Sequence, residues 1–584
     1  MLLQLLKIAI KRIISRATQP IRTKRADRTF TEALQLFDQG DMPAAERLLR
    51  KTIEICPNHA RARSNLGSVL WEQNRFEDSI ACLKMAVTLD PDLVDARVNL
   101  GIGLYLRGAV DDSIAQYRAA IRLDPDHPIA HLNLLILLLN TCDWDSVDIE
   151  IEKLLSRWEK TTERDLVLDR LDPFISLLLP IPQEIRRCTA RHRAKVISRK
   201  VANLPRPQHR PPGAREKLRI GYLSNAFNNH ATAHLATGMF EQHDRRRFEC
   251  YAYSYGVDDG SEYRRRLATT FDAFIEVGSL PHESIAQRIA NDGIDILVDL
   301  NGYTYGGRPE ILALRPAPIQ VHYLGYPATL GADFIDYFIA DATVAPEEER
   351  QHFSEQVVWL PACYQVNDRR QRIDTRVFTR AELGLPNGFI YCSFNQHAKI
   401  ERHVFDAWLR ILAGTPGSAL WLLEGAGERR LRERAVTQGI DPKRIVFAKL
   451  APKSEHLARL RLADLCLDTY TCNAHTTASD ALWAGVPVLT CPSKGFAGRV
   501  ASSLLKAIHL PELIVDDLAT YESRAIAYAR DPASLCEITL KLENNRLTTP
   551  LFDTARFTAD LERAYEAMWA RLLAGGAPQR ISID

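Results

Sequence analysis

The stretch CLDTYTCNAHTTASDALWAGVPVLT, residues 466–490, decides the fold that this sequence predicts. Its pattern predicts a strand ending at Asp468, a polar turn, a helix beginning near His475 and a second strand over 486–490. Gly485 is the expected C-cap of the helix. A strand, a helix and another strand in this order form the unit of a parallel sheet, and such sheets bind ligands at the carboxyl ends of their strands. The polar turn is therefore expected to face a binding site.

The turn itself allows two interpretations. Free backbone N–H groups at the start of a helix, together with the positive end of the helix dipole, form an anion site suited to a diphosphate. Alternatively, Thr477 and Asp480 cap the first turn of their own helix, and His475 is an ordinary hydrogen-bonded turn residue. The stretch alone leaves both interpretations open.

Short apolar runs alternate with helical patterns from residue 216 to the end of the chain. This alternation predicts two doubly wound α/β lobes with parallel sheets, residues 216–375 and 376–584, and a ligand site in the cleft between them. The predicted strands lie at 218–224, 248–255, 294–300 and 319–326 in the first lobe, and at 389–395, 418–424, 444–450, 462–468 and 486–490 in the second.

Two further segments place polar side chains after strands of the second lobe. FNQHAKIER carries Gln396 and Lys399, and Lys399 is a candidate cation for a phosphate group. APKSEHLARL carries Lys453, His456 and Arg459, which share one face of a helix turn at this spacing. A solvated basic face is the alternative for the second segment. The convergence of three strand ends favours a ligand that contains phosphate.

Residues 26–150 repeat with a 34-residue period, which is the tetratricopeptide (TPR) pattern of paired helices. The matched residues of two copies are Leu66, Gly67, Ser79, Leu83, Ala86 and Pro91, followed by Leu100, Gly101, Ser113, Tyr117, Ala120 and Pro125. Such arrays bind a peptide or protein along their concave face, although so short an array could also be a structural cap. Residues 151–215 are expected to form a helical connector that ends in a proline-rich, basic linker.

Residues 1–25 have the pattern of an amphipathic helix, which packs on the first repeat or makes weak contact with an anionic membrane surface. No apolar run reaches the roughly 18 residues that a membrane span needs. The net charge of +2 gives no sign of nucleic-acid binding. The eleven cysteines form no CxxC pair. Several lie in apolar strand-like runs, so we expect reduced, buried thiols in a cytoplasmic protein.

Four segments resemble the catalytic region of the O-linked N-acetylglucosamine transferases, glycosyltransferase family 41, with the related SPINDLY proteins. They are FNQHAKI, APKSEH, the opening stretch, and NGYTYGGRPEILALRPAPIQVHYLGYPATLGAD at 301–333. The resemblance runs from about residue 217 to the C-terminus, with TPR repeats ahead of it. It implies a GT-B fold of two Rossmann-like lobes. It also implies transfer of N-acetylglucosamine, with inversion, from UDP-N-acetylglucosamine (UDP-GlcNAc) to serine or threonine hydroxyls of proteins.

The resemblance also implies roles for individual residues of the donor site. It places Lys399 and Gln396 at the donor diphosphate, above the backbone of His475, Thr476 and Thr477. It assigns the ribose to Lys453 and Asp480. It places the uracil among Ala451, His456 and Arg459.

In the first lobe, SNAFNNHATAHL carries His230, which matches the family histidine proposed as general base or as an acceptor-positioning group. His234 is its weaker neighbour. A donor phosphate oxygen could also take the proton, because an alcohol loses it late in the attack. A lysine and oriented amides can stabilise the leaving diphosphate without a metal, and DxD occurs only in the repeat region, at 90, 124 and 143. We therefore expect no metal and no other cofactor.

Two departures from the family limit the transfer of function. Asp295 stands where the animal enzymes have a second histidine, and the repeats are few. SPINDLY relatives use GDP-fucose, but their equivalent of CNAHTT lacks the histidine, so His475 favours the uridine donor. The alternatives are a GDP-fucose-dependent protein O-fucosyltransferase, a non-catalytic TPR scaffold with a decayed transferase domain, and an enzyme whose acceptor is a glycan, a lipid or an asparagine side chain.

Overall fold

The computed structural model describes residues 24–161, 164–209, 213 and 216–584. The predicted amphipathic helix over 1–25 lies outside these residues except for its last two positions. The described chain divides into two compact units. One runs to Leu139 and includes Asp145–Leu171, and the other consists of Asn140–Trp144 and Asp172–Asp584. Within the described ranges, no helix is both long enough and apolar enough to cross a bilayer.

The first unit is an array of paired helices. Its helices are α1 Lys24–Asp38, α2 Met42–Ile55, α3 Ala60–Glu72, α4 Phe76–Leu89, α5 Val94–Leu106, α6 Val110–Leu123, α7 Pro128–Asn140, α8 Trp144–Lys160 and α9 Arg164–Leu168. Small residues allow the two helices of a pair to approach closely. A Cβ atom on Gly67 would lie 2.8 Å from Leu83 Cγ, and Ser79 Oγ donates to the Gly67 carbonyl at 2.6 Å. The predicted helical repeats are therefore confirmed.

The second unit contains two sheets in which every strand pair is parallel. The first sheet has the order β13-β7-β6-β5-β4-β1-β2-β3, and the second has the order β10-β9-β8-β11-β12. The strands are β1 Leu218–Ser224, β2 Phe248–Ser254, β3 Ala273–Glu276, β4 Ile296–Asp299, β5 Ile319–His322, β6 Tyr337–Asp341, β7 Gln356–Leu360, β8 Ile390–Ser393, β9 Ala419–Leu423, β10 Ile445–Ala448, β11 Leu465–Leu467, β12 Val488–Leu489 and β13 Ile581–Ser582.

Helices flank both sheets, as the alternating pattern predicts. They are α10 Pro173–Ser176, α11 Gln183–Val201, α12 Ala231–Gln242, α13 Glu262–Ala268, α14 His282–Asn291, α15 Pro309–Ala313, α16 Arg402–Gly414, α17 Glu428–Thr437, α18 Lys453–Leu460, α19 Thr476–Ala484, α20 Val500–Ala507, α21 Leu518–Arg530, α22 Pro532–Asn545 and α23 Thr554–Leu573. The predicted fold class, helical repeats followed by two doubly wound lobes, is confirmed.

The division of the second unit differs from the prediction at both of its ends. Helix α11 packs against α15 and buries Ile185 and Ile197, so part of the predicted connector belongs to the first lobe. The basic linker that follows lies partly outside the described residues. At the other end, α23 packs against α12, and β13 pairs with β7. The segment 376–584 is therefore not one lobe, because its last thirty or so residues return to complete the first sheet.

Candidate active site

Lys399 stands at the centre of the polar edge of the second sheet. Chain segments leave β8 and β11, which are neighbours in the sheet, at the same edge because the strands are parallel. Lys399 ends a short 3-10 turn after β8. Its Nζ donates to the Asn473 carbonyl at 2.8 Å, within the polar turn that follows β11. The two predicted strand ends therefore meet, with the lysine charge against the turn.

Internal hydrogen bonds fix the polar turn, residues 469–475. Asp468 accepts the Ala474 N–H at 2.6 Å, and Asn473 Nδ2 donates to the Thr469 carbonyl at 2.7 Å. The His475 ring bonds through Nε2 to the Ala497 carbonyl at 3.2 Å. Burial and the Lys399 charge lower the pKa of His475 to about 3, so this ring is neutral at physiological pH.

The first turn of α19 is not capped by its own side chains. His475 is the N-cap and makes no side-chain cap hydrogen bond. Thr477 Oγ1 donates to Asn395 Oδ1 at 2.8 Å, and Asp480 pairs with Lys453. The capping interpretation of Thr477 and Asp480 is therefore wrong. The first N–H groups of an α-helix have no partner within it, so those of Thr476 and Thr477 are available to an anion.

Lys453 and Asp480 form a nearly buried ion pair, with side chains 11% and 7% exposed. The lysine begins α18, after β10, and the aspartate lies one turn into α19. Burial raises the pKa of Asp480, and the lysine charge opposes that shift. The structure thus joins a third strand end to the same site.

His456 and Arg459 share one face of α18, as predicted, but this face is not a solvated one. Arg459 is 5% exposed and donates to the Lys449 carbonyl at 2.7 Å and to His456 Nδ1 at 3.1 Å. The His456 ring lies edge-on to Phe394, with centroids 4.9 Å apart. Burial and the neighbouring cations lower the pKa of His456 to about 3. Ala451 lies half-buried in the loop just before this helix, and Gln396 is exposed at the N-cap of the Lys399 turn.

His230 lies after β1 in the first lobe and is the N-cap of α12. Its Nδ1 accepts the Thr232 N–H at 3.2 Å, and its side chain is exposed. Desolvation by the surrounding protein lowers its pKa. His234, one turn further, bonds to Asn229 at 2.8 Å. Burial, and to a smaller extent the charges of Lys453 and His230, lower the pKa of His234 to about 3.

Two functional features were missed from the sequence. Asn301, which follows β4, is bonded to the end of β1. Its Oδ1 accepts from Ser224 Oγ at 2.9 Å and from the Asn225 N–H at 3.0 Å. Asp468 organises the polar turn of the second lobe. Both residues lie in segments that the sequence analysis singled out. Their roles were missed because some of their hydrogen-bond partners are distant in the sequence. Asp295, by contrast, precedes β4 and accepts the Arg219 N–H at 3.0 Å, so it lies at the end of the strand away from the cleft.

The described residues contain no group of three or more His, Cys, Asp or Glu side chains that could hold a metal ion. The expectation of metal-free chemistry stays a prediction. All eleven cysteines are free, and most are buried, including Cys392, Cys466 and Cys491.

Comparisons with known proteins agree with this architecture. The sequence model of glycosyl transferase family 41 matches residues 141–377 and 373–561, and TPR models match residues 29–92 and 103–134. A solved structure of a Thermobaculum terrenum O-GlcNAc transferase mutant has a TM-score of 0.67 and 26% sequence identity, and the match covers 94% of this chain and 98% of that one. This match supports the predicted GT-B fold.

Several curated relatives are transferases by name. The probable UDP-N-acetylglucosamine–peptide N-acetylglucosaminyltransferase SEC of Arabidopsis thaliana is 40% identical over 77% of this chain and 48% of its own length. The UDP-N-acetylglucosamine–peptide N-acetylglucosaminyltransferase of Caenorhabditis elegans is 32% identical over 74% of this chain and 48% of its own. A Petunia hybrida protein with the SPINDLY name is 30% identical over 62% and 40%. The chain thus spans about half the length or less of these relatives. With its TPR repeats, its two parallel-sheet lobes and a family match over most of its length, the chain belongs to glycosyltransferase family 41.

Proposed function

We propose that this chain is an inverting, metal-independent glycosyltransferase that moves N-acetylglucosamine from UDP-GlcNAc to serine or threonine hydroxyls of proteins. The observation that carries the proposal is the placement of Lys399 against the polar turn, 2.8 Å from the Asn473 carbonyl, beside the uncapped N-terminus of α19. A cation and free N–H groups converging at one point form a site for a diphosphate.

The donor side accounts for departure of the leaving group. As the bond from the sugar to the diphosphate breaks, negative charge grows on the phosphate oxygen. Lys399 and the N–H groups of Thr476 and Thr477 stabilise that charge from fixed positions, which lowers the barrier without prior reorganisation. In this proposal Gln396 also contacts the diphosphate. The Lys453–Asp480 pair then holds the ribose, and Ala451, His456 and Arg459 hold the base.

The hydrogen bonding of His230 supports a positioning role in preference to that of general base. Its Nδ1 lone pair is occupied by the Thr232 N–H, so the neutral ring carries its proton on Nε2. An Nε2–H group donates a hydrogen bond to the acceptor oxygen but cannot take that oxygen's proton. In this assignment His230 orients the hydroxyl, and a donor phosphate oxygen receives the proton late in the attack.

The TPR array is proposed to dock the acceptor protein, because stacked helix pairs present an extended concave surface that suits a polypeptide. Relatives with the SPINDLY name, at 30% identity, keep GDP-fucose as the competing donor, because the family resemblance implies that donor for SPINDLY proteins. Their similarity reaches less of the chain and is weaker than that of the SEC protein. This difference supports the uridine donor.

Titration calorimetry of the full chain with UDP-GlcNAc and with GDP-fucose tests the donor. We expect saturable binding of UDP-GlcNAc alone, weakened in the Lys399→Met variant. Mass spectrometry of proteins from cells that express the chain then tests the acceptor, and N-acetylhexosamine on serine or threonine is the expected modification. Fucose at these residues would favour the SPINDLY-like alternative. If the chain binds neither UDP-GlcNAc nor GDP-fucose, the non-catalytic scaffold is favoured.

A further inference from the structure

We propose that Asp468 is the positioning residue of the donor site, whose carboxylate holds the polar turn in the shape that brings Lys399 and the N-terminus of α19 together. The inference rests on the proposed function, since it takes the ligand to be a sugar diphosphate. It concerns a residue that touches no ligand itself and acts through the turn.

Asp468 is 2% exposed, and its buried side chain accepts three hydrogen bonds, two from the turn and one from Thr490. Its Oδ1 accepts the N–H of Thr469 at 2.8 Å, at the start of the turn, and of Ala474 at 2.6 Å, one residue before its end. Its Oδ2 accepts from Thr490 Oγ1 at 2.6 Å, after β12. Its carbonyl accepts from Tyr521 in α21 at 3.0 Å. The turn is thus closed by one carboxylate, which Thr490 holds from beyond the turn, while Tyr521 holds the backbone of the same residue.

The closing bond lies next to the anion site. Ala474 immediately precedes His475, the N-cap of α19, so its position sets the direction in which the helix begins. The Asn473 carbonyl, which receives the Lys399 ammonium, lies one residue earlier. Without the Asp468 bond, the segment that carries the lysine partner and the helix start loses one of its anchors, and it keeps the bonds of Asn473 and His475 to the Ala497 carbonyl. Binding would then have to pay the entropy of ordering the turn.

The charge of Asp468 also acts on the donor site through Lys399. Burial raises the pKa of this carboxyl to about 7, against the lowering effects of its hydrogen bonds and of Lys399. Its other titratable neighbours have raised pKa values and do not ionise near neutral pH. The hydrogen bond with Cys392, and then burial, raises the pKa of Cys466, and burial raises those of Cys472, Cys491 and Tyr521. As pH rises through about 7, Asp468 becomes an anion, offsets Lys399 and repels the diphosphate. Affinity for UDP-GlcNAc, whose diphosphate diester does not titrate here, should fall with rising pH.

Three variants separate these contributions. Asp468→Ala removes the hydrogen bonds and the charge. Asp468→Asn keeps an oxygen for the two N–H groups and offers an N–H to the Thr490 hydroxyl, but removes the charge. Asp464→Ala is the matched control, because Asp464 accepts the Ile390 N–H at 2.7 Å at the opposite end of the same strand, away from the cleft.

Calorimetry should show that Asp468→Ala weakens UDP-GlcNAc binding by about 30-fold, whereas Asp464→Ala stays within about threefold of the wild type. Asp468→Asn should bind within about threefold at pH 6 and lose the pH dependence between about pH 6 and pH 8. Hydrogen–deuterium exchange of ligand-free protein should rise at residues 469–476 in Asp468→Ala and stay unchanged there in Asp464→Ala.

Equal losses of affinity in the two alanine variants, or unchanged exchange at 469–476 in Asp468→Ala, would overturn the inference. If Asp468→Ala does not fold, the pH profile of Asp468→Asn decides, and a slope like that of the wild type refutes the charge argument. If the wild-type protein binds no sugar nucleotide, the proposed function fails, whereas the exchange experiment still tests the role of Asp468 in the turn.

Discussion

Asp299 at the end of β4 and Asp468 just after β11 hold equivalent positions in the two sheets, and their surroundings differ. Each is a buried carboxylate that accepts N–H groups of the turn after its strand. Asp299 accepts from Asn301 at 3.2 Å and from Gly302 at 2.7 Å. Asp468 accepts from Thr469 and Ala474. The turn after Asp299 contains Asn301, whose neutral amide forms the surrounding hydrogen bonds. The turn after Asp468 accepts a hydrogen bond from Lys399 and leads into a helix.

Under the proposed function, the difference suits two kinds of substrate. A diphosphate has a fixed charge and shape, so a site of cations and oriented N–H groups can be built for it in advance. An acceptor hydroxyl belongs to a variable polypeptide and is neutral, so it requires orientation and no strong field. The charged chemistry is therefore expected on the donor side, and hydrogen-bond geometry is expected to matter on the acceptor side. Four experiments with substituted proteins test this contrast.

Lys399→Met should produce the largest change. Removing the cation that faces the developing phosphate charge is expected to slow transfer by about 10³-fold, within the range for loss of one stabilising group. UDP release from UDP-GlcNAc in the presence of a cell-protein extract measures the rate. Lys449→Met, which removes an exposed lysine near the same site, should retain full activity. A Lys399→Met rate within tenfold of the wild type would contradict the assignment of charge to the donor side.

Lys453→Met tests the second donor-side charge through stability. It leaves the buried Asp480 carboxylate without its partner, which should cost about 3 kcal/mol in the free energy of unfolding. The pKa of Asp480 is already raised by burial, and losing the lysine raises it further. A carboxyl whose pKa is raised in the folded state keeps its proton there, whereas it ionises more readily in the unfolded chain. The free energy of unfolding therefore falls as pH increases. The penalty in urea unfolding should therefore be smaller at pH 5 than at pH 8, and a pH-independent penalty would refute this account.

His230 allows the acceptor side to be tested with two matched variants. His230→Asn keeps an oxygen near the Nδ1 position to cap Thr232 but removes the outward N–H, so transfer should slow by about 100-fold. His230→Gln restores an N–H near the Nε2 position and loses the cap, so it should retain activity within about tenfold of the wild type. UDP-GlcNAc affinity should be unchanged in both. Equal, large losses in the two variants would show that an N–H near the Nε2 position is not sufficient, and would contradict the positioning role.

The sequence predicts the donor side better than the acceptor side for physical reasons. Buried strands such as β8 and β11 are continuous apolar runs, and Gly485 ends α19 in the left-handed conformation, at φ +90°, as its position predicts. By contrast β3 is a short and partly exposed strand, and β13 has only two residues, so neither has a clear pattern. The return of α23 to the first lobe is a long-range contact that local periodicity does not encode.

The same limit applies to the site. Spacing places Lys453, His456 and Arg459 on one helix face, because helical geometry alone fixes that relation. Whether Thr477 caps its own helix or bonds elsewhere depends on Asn395, which is 82 residues away in the sequence. The role of Asp468 depends in the same way on Thr490 and Tyr521. Residue types and local spacing thus indicated the chemistry, whereas the choice between interpretations required tertiary contacts.

The smallest predicted effects compare one hydroxyl from each side. Thr477→Val removes the donor to Asn395 Oδ1, and Ser224→Ala removes one donor to Asn301 Oδ1. Thr477→Val should cost about 1 kcal/mol of stability, the usual net value of one hydrogen bond. Ser224→Ala should cost about 2 kcal/mol, because Ser224 Oγ also accepts the Ala226 N–H at 2.9 Å. Asn301 still accepts the Asn225 N–H, whereas Thr477 connects the end of β8 to α19 at the anion site.

Their functional consequences should therefore separate. Thr477→Val is expected to weaken UDP-GlcNAc binding by about fivefold, because it loosens the helix start that holds the diphosphate. Ser224→Ala should leave donor affinity unchanged and slow transfer at saturating donor by a similar factor, because it loosens only the acceptor platform. Calorimetry and UDP release on the same preparations measure both quantities. If the two variants shifted affinity and rate alike, the cleft would be one coupled network, and the division between a charged donor side and a neutral acceptor side would not hold.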